Sequence, residues 1–423
     1  MFLHRFFSIY YNRYGISILN AWFGSFNKRI RTRLRFYGVP VYEHLIWYPT
    51  ANSLTYFWSF GSLAAIFLII QLITGVILVI HYKPSTLNAF ASVAHLITDV
   101  PSGWIIRYLH SNGASIFFIV IYVHIARGLY YGSFISPRNL IWISGIIIFL
   151  LLIGTAFIGY VLPWGQISFW GATVITNLIS AIPWVGERIV YWIWGSFSIG
   201  DATLNRFFSL HYFLPFVIAV AALLHLYLLH IIGSSNAIGL NPKYDILRIS
   251  FYPFYYIKDI YSVLLFFWIY FYLVFFAPNL LGHSDNYMLA NSIITPVHIV
   301  PEWYFLPFYA ILRSIPNKFG GVIAIVGAIF SILVYATLIT FQAWVPVASF
   351  NIRSLYFING SNVLYWWFII DFIILGIIGG RPIEIPYLLI SQWATCFFFF
   401  YWLFAPIIYW WEYLLLTFAY KIK

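Results

Sequence analysis

The sequence predicts an all-α integral membrane protein with eight transmembrane helices, the first four of which form a four-helix bundle. Of its 423 residues, 63% are hydrophobic and only 8% are charged, a composition typical of proteins embedded in lipid. Eight segments without Asp, Glu, Lys or Arg are long enough, or nearly so, to cross a bilayer as a helix of about 20 residues. These segments cover residues 54–80, 108–126, 139–186, 207–242, 260–284, 319–352, 354–370 and 385–411.

The third segment is twice as long as one span requires. Pro163, Gly165 and Pro183 interrupt it, so we expect the span to end there and residues 164–200 to form short helices at the membrane surface. Tryptophan favours such interfaces, and this loop contains Trp164, Trp170, Trp184, Trp192 and Trp194. The predicted organisation is a basic N-terminal extension (1–55), the bundle with its surface loop (56–250), a second four-helix membrane domain (251–412) and a C-terminal tail (413–423).

The distribution of Lys and Arg predicts the orientation of the chain. With eight spans both termini lie on one side, which collects 15 of the 22 basic residues, and the positive-inside preference makes this the inner side. The net charge of +11 follows from this bias, and we interpret the basic run Lys28–Arg35 as a contact with lipid head groups, not nucleic acid. No secretory signal peptide is expected. The single cysteine, Cys396, excludes a disulfide or a C-x-x-C-H haem attachment within this chain.

Four histidines in two of the predicted spans have matched spacing. His110 and His124 are 14 residues apart, and so are His211 and His225. At 1.5 Å per residue, each pair lies on one helix face about 21 Å apart, which is most of the ~30 Å hydrocarbon core. Two such helices side by side make two stacked bis-histidine sites, which suit haem iron in electron transfer because no ligand position stays open. A single histidine in an apolar helix is more often a packed residue or a lone proton relay, but two identical intervals are hard to obtain by chance.

Glycines repeat the same interval in the neighbouring spans. Gly61 and Gly75 are 14 residues apart in the first span, and Gly145 and Gly159 in the third. Glycine in membrane helices usually serves helix contact. At the histidine interval, we interpret these four as positions where a flat macrocycle approaches the backbone, since glycine has no Cβ.

Four further segments are distinctive in sequence. Residues 107–133 read RYLHSNGASIFFIVIYVHIARGLYYGS, residues 159–186 read GYVLPWGQISFWGATVITNLISAIPWVG, residues 301–304 read PEWY and residues 309–318 read YAILRSIPNK. These segments resemble the mitochondrial cytochrome b family, the haem subunits of quinol:cytochrome c oxidoreductase (complex III). The resemblance covers about residues 55–395. It implies two non-covalent b-type haems, an outer low-potential haem with ligands His110 and His211 and an inner high-potential haem with ligands His124 and His225.

Arg107 and Arg127 each lie three residues from a predicted ligand, at opposite ends of one span. By resemblance they would pair with the haem propionates. The alternative is that both are anchors that extend to the membrane surface.

A proton acceptor for quinol is expected near the outer haem. Glu302 in PEWY lies on the predicted outer side among apolar residues, where burial would raise the pKa of its carboxyl. An isolated glutamate near a membrane surface is otherwise more often simply solvated. The resemblance assigns Glu302 to quinol oxidation and places four further residues in the walls of the same pocket, Phe157, Tyr160, Gly171 and Tyr309.

An inner quinone site is expected beside the second haem. His230 lies five residues beyond His225 and points to another helix face, and Lys258 and Asp259 open the fifth span on the same side. A His and an Asp can hydrogen-bond both carbonyls of a quinone and deliver protons. The resemblance adds Ser234. The alternative for Asp259 is a helix N-terminal acid favoured by the dipole.

Some positions depart from the family pattern. Ile231 and Ile232 stand where the family commonly has a more polar pair, and Val300 replaces a frequent basic residue. The first 50 residues and the end after Phe397 resemble the family poorly, and we interpret them as matrix-facing additions. Asp371, within the seventh span, receives no predicted role.

The resemblance implies a catalytic subunit of quinol–cytochrome c reductase. It would oxidise ubiquinol outside and reduce a quinone inside, coupled to proton translocation. Its partners would be a Rieske-type iron–sulfur protein, cytochrome c1 and other complex III subunits, in a homodimeric complex, and no nucleic acid. The complex would lie in the lipid of the mitochondrial inner membrane, with both termini of this chain in the matrix.

Two alternatives remain. A dihaem anchor of a dehydrogenase would usually have fewer spans and no PEWY-like pocket, and a transporter with buried His and Asp would leave the matched intervals unexplained.

Overall fold

The computed structural model of the chain describes residues 46–239, 248–342 and 354–422. The predicted N-terminal extension therefore lies outside the described residues up to residue 45, including Lys28–Arg35. The chain divides into two compact units, one of residues 1–50 and 248–257 and one of residues 51–247 and 258–423. In the described part of the smaller unit, the Phe251 amide donates to the Tyr48 carbonyl at 3.0 Å. The strands β1 (Pro49–Ala51) and β2 (Arg248–Ser250) form a short sheet, which the sequence did not predict.

Helices make up almost all of the remaining described structure. In chain order they are α1 (Phe60–Val79), α2 (Ala89–Thr98), α3 (Gly103–Tyr130), α4 (Asn139–Val161), α5 (Gln166–Asn177), α6 (Gly186–Trp194), α7 (Asp201–Ile232), α8 (Phe254–Phe276), α9 (Leu306–Ser314), α10 (Lys318–Gln342), α11 (Asn359–Gly379) and α12 (Tyr387–Ile422). Short 3₁₀ turns precede α1 (Tyr56–Ser59) and α9 (Trp303–Phe305). Within the described ranges, eight helices are long and apolar enough to cross a membrane, namely α1, α3, α4, α7, α8, α10, α11 and α12. The predicted fold class and number of spans are confirmed.

The first four spans pack as the predicted bundle. Helix α1 packs against α3, α4 packs against α7, and α1 also meets α7. Leu63 and Phe67 of α1 are fully buried, as is Val120 of α3. All three belong to one cluster of buried apolar side chains, which includes Phe117 and Phe118 of α3 and stabilises the helix that carries two of the predicted ligands.

The loop between α4 and α7 forms two short helices, α5 and α6, as expected. Trp184 and Trp192 are 96% and 76% exposed, which suits an interfacial belt. Trp164 and Trp194 are instead buried in the small core of the loop, and the Trp194 indole donates to the Thr176 hydroxyl at 2.7 Å. Only part of the tryptophan set therefore faces outward, because the loop needs large side chains to build its own core.

Several spans, among them α3 and α7, extend beyond their charge-free segments. Helix α7 begins at Asp201, where a carboxylate is favoured by the helix dipole and accepts a hydrogen bond from the Thr86 amide at 2.7 Å. Helix α3 includes Arg107 and Arg127 near its two ends. Charged residues are tolerated at helix ends, so a search for uncharged runs underestimates the lengths of both helices.

Helix α9 is a short helix that follows PEWY and packs among α10, α11 and α12. Pro307 lies in its first turn, where a missing amide proton costs nothing. Helices α11 and α12 pack together through aromatic side chains, and the Phe368 and Tyr401 rings stack with centroids 4.1 Å apart. The outer-side segment of PEWY is thus supported by the second half of the protein.

Candidate functional site

The outer pair of histidines faces each other across the bundle. His110 of α3 and His211 of α7 have ring centroids 6.2 Å apart. His110 Nδ1 lies 2.9 Å from the Thr74 hydroxyl oxygen, and this hydroxyl donates its own proton to the Ile70 carbonyl at 2.6 Å, so the ring nitrogen is the donor. His211 Nδ1 donates to the Thr155 carbonyl at 2.9 Å. Both rings therefore keep an unprotonated Nε2 that can bind a metal.

In the inner pair, the Nδ1 atom of His225 is a hydrogen-bond donor as in the outer pair, whereas the Nδ1 atom of His124 is an acceptor. His124 of α3 and His225 of α7 have ring centroids 6.5 Å apart. His225 Nδ1 lies 2.8 Å from the Ser144 hydroxyl oxygen, whose proton goes to the Ile141 carbonyl at 2.9 Å. His124 Nδ1 instead accepts from the Arg127 guanidinium at 3.3 Å. This ring must change tautomer, and release Arg127, before its Nε2 binds a metal.

Both spacings fit an iron held between two imidazoles. A transition metal binds an imidazole nitrogen at about 2.0–2.1 Å, and adding the distance from nitrogen to ring centre on both sides gives centroids about 6 Å apart. The Arg127 Nε is buried without a hydrogen-bond partner, and the guanidinium lies 5.2 Å from the centroid of the Trp58 ring. A buried guanidinium needs hydrogen-bond acceptors, and the carboxylates of a haem would supply them. The residues at both levels therefore fit a bis-imidazole haem.

Each of the four glycines lies against one of the four histidine rings. A Cβ would lie 3.5 Å from His124 Cε1 at Gly61, 3.2 Å from His110 Cε1 at Gly75, 3.2 Å from His225 Cε1 at Gly145 and 2.7 Å from His211 Nδ1 at Gly159. The glycines thus make room for the imidazole rings, and the approach of a macrocycle to the same positions stays a prediction. The absence of a Cβ lets each ring lie against the backbone of the neighbouring helix.

A cavity of about 310 Å³ joins the outer histidines to the PEWY segment. Its walls include both rings of the outer pair and five other predicted site residues, Gly75, Arg107, Gly159, Tyr160 and Glu302. A carboxyl, a phenol and a guanidinium therefore share one chamber with the His110–His211 pair. A mainly apolar cavity with a few convergent polar groups is the usual form of a small-molecule site.

Glu302 has the properties of a proton acceptor. Burial raises the pKa of its carboxyl from the usual 4.5 to about 7, while the nearby Tyr160 hydroxyl and Arg107 guanidinium oppose this rise. The Tyr160 hydroxyl is itself buried without a close hydrogen-bond partner. A carboxyl that titrates near neutral pH can take up and release a proton efficiently, and the unpaired phenol can bind a polar ligand atom.

The PEWY segment is fixed to α3 on the side that follows Glu302. The Trp303 indole donates to the Ser115 hydroxyl at 3.1 Å. The Tyr304 ring stacks on Phe118 with centroids 4.0 Å apart and planes within 2°, and the Tyr122 hydroxyl donates to the Tyr304 carbonyl. These contacts hold the segment against the helix that carries the predicted ligand His110.

Comparison with known proteins decides the family. The Cytochrome b/b6/petB family profile matches residues 45–233, and the Cytochrome b(C-terminal)/b6/petD profile matches residues 289–399. Cytochrome b of Cyanidium caldarium is 55% identical over 359 residues, covering 85% of this chain and 91% of that protein. Cytochrome b of Marchantia polymorpha is 53% identical over 380 residues, covering 89% and 91%. The chain belongs to the cytochrome b family. A chain of the solved structure "Hyperthermophilic respiratory Complex III" matches with a TM-score of 0.82 and 31% identity, covering 93% of this chain and 99% of that chain.

In this cytochrome b chain, the structure brings together some of the predicted outer-site residues and not others. Tyr160 and Glu302 both line the cavity. The walls do not include three other predicted residues, Phe157, Gly171 and Tyr309. Tyr309 instead donates its hydroxyl to the Ile299 carbonyl at 3.1 Å, just before PEWY. Tyr309 therefore contacts the segment that bears Glu302 and is not itself in the cavity wall.

The predicted inner-site residues Lys258 and Asp259 both contact the start of the first span. The Asp259 carboxylate interacts with the hydroxyls of Ser59 and Ser62. The Lys258 ammonium donates to the Leu54 carbonyl at 2.6 Å. These contacts hold two of the predicted quinone-binding side chains in place.

The other two predicted inner-site residues lie at the end of α7. His230 is in the last turn of that helix. Ser234 follows it, and the buried Arg138 donates to the carbonyls of Gly233 at 2.8 Å and Ser234 at 3.1 Å. The turn after His230 is therefore held by a guanidinium, and a joint role of the four residues in binding quinone stays a prediction.

The sequence analysis missed the partners that orient the histidine rings. The sequence did contain one signal for two of these partners. In the first and third spans a residue with a hydroxyl group directly precedes a predicted glycine, as Thr74–Gly75 and Ser144–Gly145. Tyr287 was also missed. It lines the cavity and interacts with Glu302, and burial raises the pKa of its phenol to about 12. No sequence pattern pointed to it, because its loop meets the bundle only in three dimensions.

Proposed function

We propose that this chain is the dihaem b-type cytochrome of a respiratory quinol:cytochrome c reductase in the mitochondrial inner membrane. It would oxidise ubiquinol at an outer site and pass electrons across the membrane to a quinone at an inner site, coupled to proton translocation. The observation that carries the proposal is the pair of stacked bis-imidazole sites, one of which opens into a cavity that holds Glu302. The resemblance to a chain of respiratory complex III supports it.

The four histidines would bind two non-covalent haems, with His110 and His211 at the outer level and His124 and His225 at the inner level. A bis-imidazole haem supplies one-electron transfer without an open ligand position. The hydrogen bonds that Nδ1 donates orient the rings of His110, His211 and His225 and leave their Nε2 atoms free to bind iron, whereas His124 would first have to release Arg127. Arg107 and Arg127 would neutralise the haem propionates, which agrees with the unpaired buried Nε of Arg127.

At the outer site the chain supplies a base and a cavity for the substrate. Glu302 would accept a proton from the quinol hydroxyl, since a carboxyl with a pKa of about 7 is about half ionised at neutral pH. The Tyr160 hydroxyl is available to hydrogen-bond the substrate. The stack of Tyr304 on Phe118 holds the segment that bears Glu302 beside this cavity.

At the inner site the chain supplies proton donors. His230 and Asp259 would hydrogen-bond the two quinone carbonyls and transfer protons as the quinone is reduced. Ser234 and Lys258 would complete the polar lining. Because Asp259 already interacts with Ser59 and Ser62, its carboxylate is held ready for a ligand at low entropic cost.

The reaction needs partners because one electron from each quinol must leave on the outer side. A Rieske-type iron–sulfur protein and cytochrome c1 would take that electron, within a homodimeric complex III with further subunits. The exposed apolar residues along the spans suit contact with lipid and such subunits. The excess of Lys and Arg on one side supports a matrix location for both termini.

Purification of the complex that contains this chain tests the proposal. The preparation should reduce cytochrome c with ubiquinol as donor and should contain an iron–sulfur protein and cytochrome c1. A dihaem anchor of a dehydrogenase would show haem without this activity, and a transporter would show neither. Either of those results would contradict the proposed function.

A further inference from the structure

Glu302 lies outside the spanning helices, so its position depends on how the surrounding segment is held. Two hydrogen bonds hold the residues that precede Glu302 in the chain. His298 Nε2 lies 3.3 Å from the Gly380 carbonyl, and the Tyr309 hydroxyl donates to the Ile299 carbonyl at 3.1 Å. These two anchors belong to different elements, the end of α11 and the helix α9, so their relative position sets the path of the segment.

Arg313 joins those two elements. It lies four residues after Tyr309 on α9, and its guanidinium carbon is 4.4 Å from the centroid of the Tyr309 ring. Its two terminal nitrogens donate to three main-chain carbonyls, of Ile378 at 3.0 Å, Gly379 at 2.7 Å and Arg381 at 3.0 Å. These carbonyls end α11, where the helix dipole favours a cation.

The contact between α9 and the end of α11 is also close in the backbone. A Cβ at Gly379 would overlap the Leu306 carbonyl, and a Cβ at Gly376 would touch the Pro307 ring at 3.6 Å. Because the two backbones already touch, they cannot approach further when Arg313 is altered. They can only move apart, and the residues that immediately precede α9, including Glu302, would move with them.

We infer that Arg313 is a positioning residue for the outer quinol site. It holds the Tyr309 ring against the end of α11, and through the hydroxyl of Tyr309 and the carbonyl of Ile299 it keeps the segment that bears Glu302 closed over the cavity. The inference rests on the proposed quinol chemistry. Lysine cannot replace this arginine, because one ammonium group neither forms a planar fork to three carbonyls nor stacks on the ring in the same way.

The test compares Arg313→Lys with Arg206→Lys in the intact complex. Arg206 is a suitable control because its guanidinium also donates to main-chain carbonyls, those of Trp192 and Ile193 in helix α6. Both variants should keep two haems, since neither arginine contacts a ligand. Arg313→Lys should lower kcat/KM for haem reduction by ubiquinol by about 10- to 100-fold, the size expected for a small misplacement of a reacting group. Arg206→Lys should stay within about 2-fold of the native complex.

The pH profile separates positioning from a general loss of structure. The groups that interact with Glu302 are Arg107 on α3, Tyr160 on α4, Tyr287 in the loop after α8 and its neighbour Tyr304. None of them is altered in Arg313→Lys. If the segment opens, water enters, and the apparent pKa of quinol oxidation should move from about 7 towards 4.5, the usual value. A loss of folded protein would lower the rate equally at every pH.

The outcomes of these experiments distinguish a failure of the inference from a failure of the proposed function. An unchanged kcat/KM in Arg313→Lys, or a uniform loss without a shift of the pH profile, would overturn it while the proposed function stands. No effect of Glu302→Gln on quinol oxidation would show that the proposed function itself has failed. If Arg313→Lys loses haem, Tyr309→Phe tests the same connection, because it removes only the hydroxyl bound to Ile299. It should shift the pH profile in the same direction, and an unshifted profile would contradict the inference.

Discussion

The pH dependence of quinol oxidation at the outer cavity should follow the ionisation of Glu302. Burial raises the pKa of this carboxyl to about 7, so its basic form is lost as the pH falls through 7. From this value the ionised fraction is about one half at pH 7 and about 1% at pH 5, and the rate should fall about 50-fold between them. A solvated glutamate with a pKa near 4.5 would stay about three-quarters ionised at pH 5, and the rate would fall less than about 2-fold.

The assay is pre-steady-state reduction of haem by ubiquinol with the inner site inhibited. Glu302→Gln should slow this reduction by about 10- to 10,000-fold and remove its pH dependence, while both haems remain because the glutamate is not a ligand. Glu187→Gln is a matched control, since Glu187 is exposed in the first turn of α6. A native rate that changes less than about 2-fold between pH 7 and pH 5 would refute the reasoning. A normal rate in Glu302→Gln would do so as well.

Three further substitutions test other parts of the site. Gly159→Ala should remove most of the outer haem because the new Cβ would collide with the His211 imidazole. Gly154→Ala on the same helix is the control and should be harmless, because no atom lies within 4 Å of its Cβ. Equal haem contents in the two variants would show that Gly159 serves only helix contact. His124→Ala or His225→Ala should leave one b haem of the usual two in the absorption spectrum, and a two-haem spectrum would show that the ligand assignment is wrong. Asp259→Asn should slow oxidation of the inner haem by quinone by about 10-fold or more while quinol oxidation outside continues, and normal kinetics on the inner side would remove this residue from the site.

The spans could be predicted from sequence because their cause is local. A helix in lipid must be apolar over about 20 residues, and this requirement is visible in any uncharged run. The ends were less accurate, since Asp201 and Arg107 lie within helices whose ends tolerate charge. The small sheet of β1 and β2 could not be predicted, because each strand has three residues and joins parts of the chain about 200 residues apart.

The four histidines could be predicted for the same reason, since a 14-residue interval fixes one helix face. What the sequence could not supply were contacts between distant segments. Tyr309 was predicted to line the outer pocket, but nothing in the sequence indicated that its hydroxyl donates to the Ile299 carbonyl or that its ring packs on Arg313. The glycines were predicted to make room for a macrocycle, but the contact of Gly159 with the His211 ring could not be predicted. Such packing depends on how the helices meet, and one sequence contains no direct record of it.

The most direct test of the account is the haem content of the purified complex by the pyridine haemochrome method. The stacked imidazole pairs, with ring centroids 6.2 Å and 6.5 Å apart, predict two non-covalent b-type haems per copy of this chain. The complex should give that ratio, and a variant that lacks one ligand should give half of it. A preparation that is folded in the membrane but contains no b haem would contradict the account.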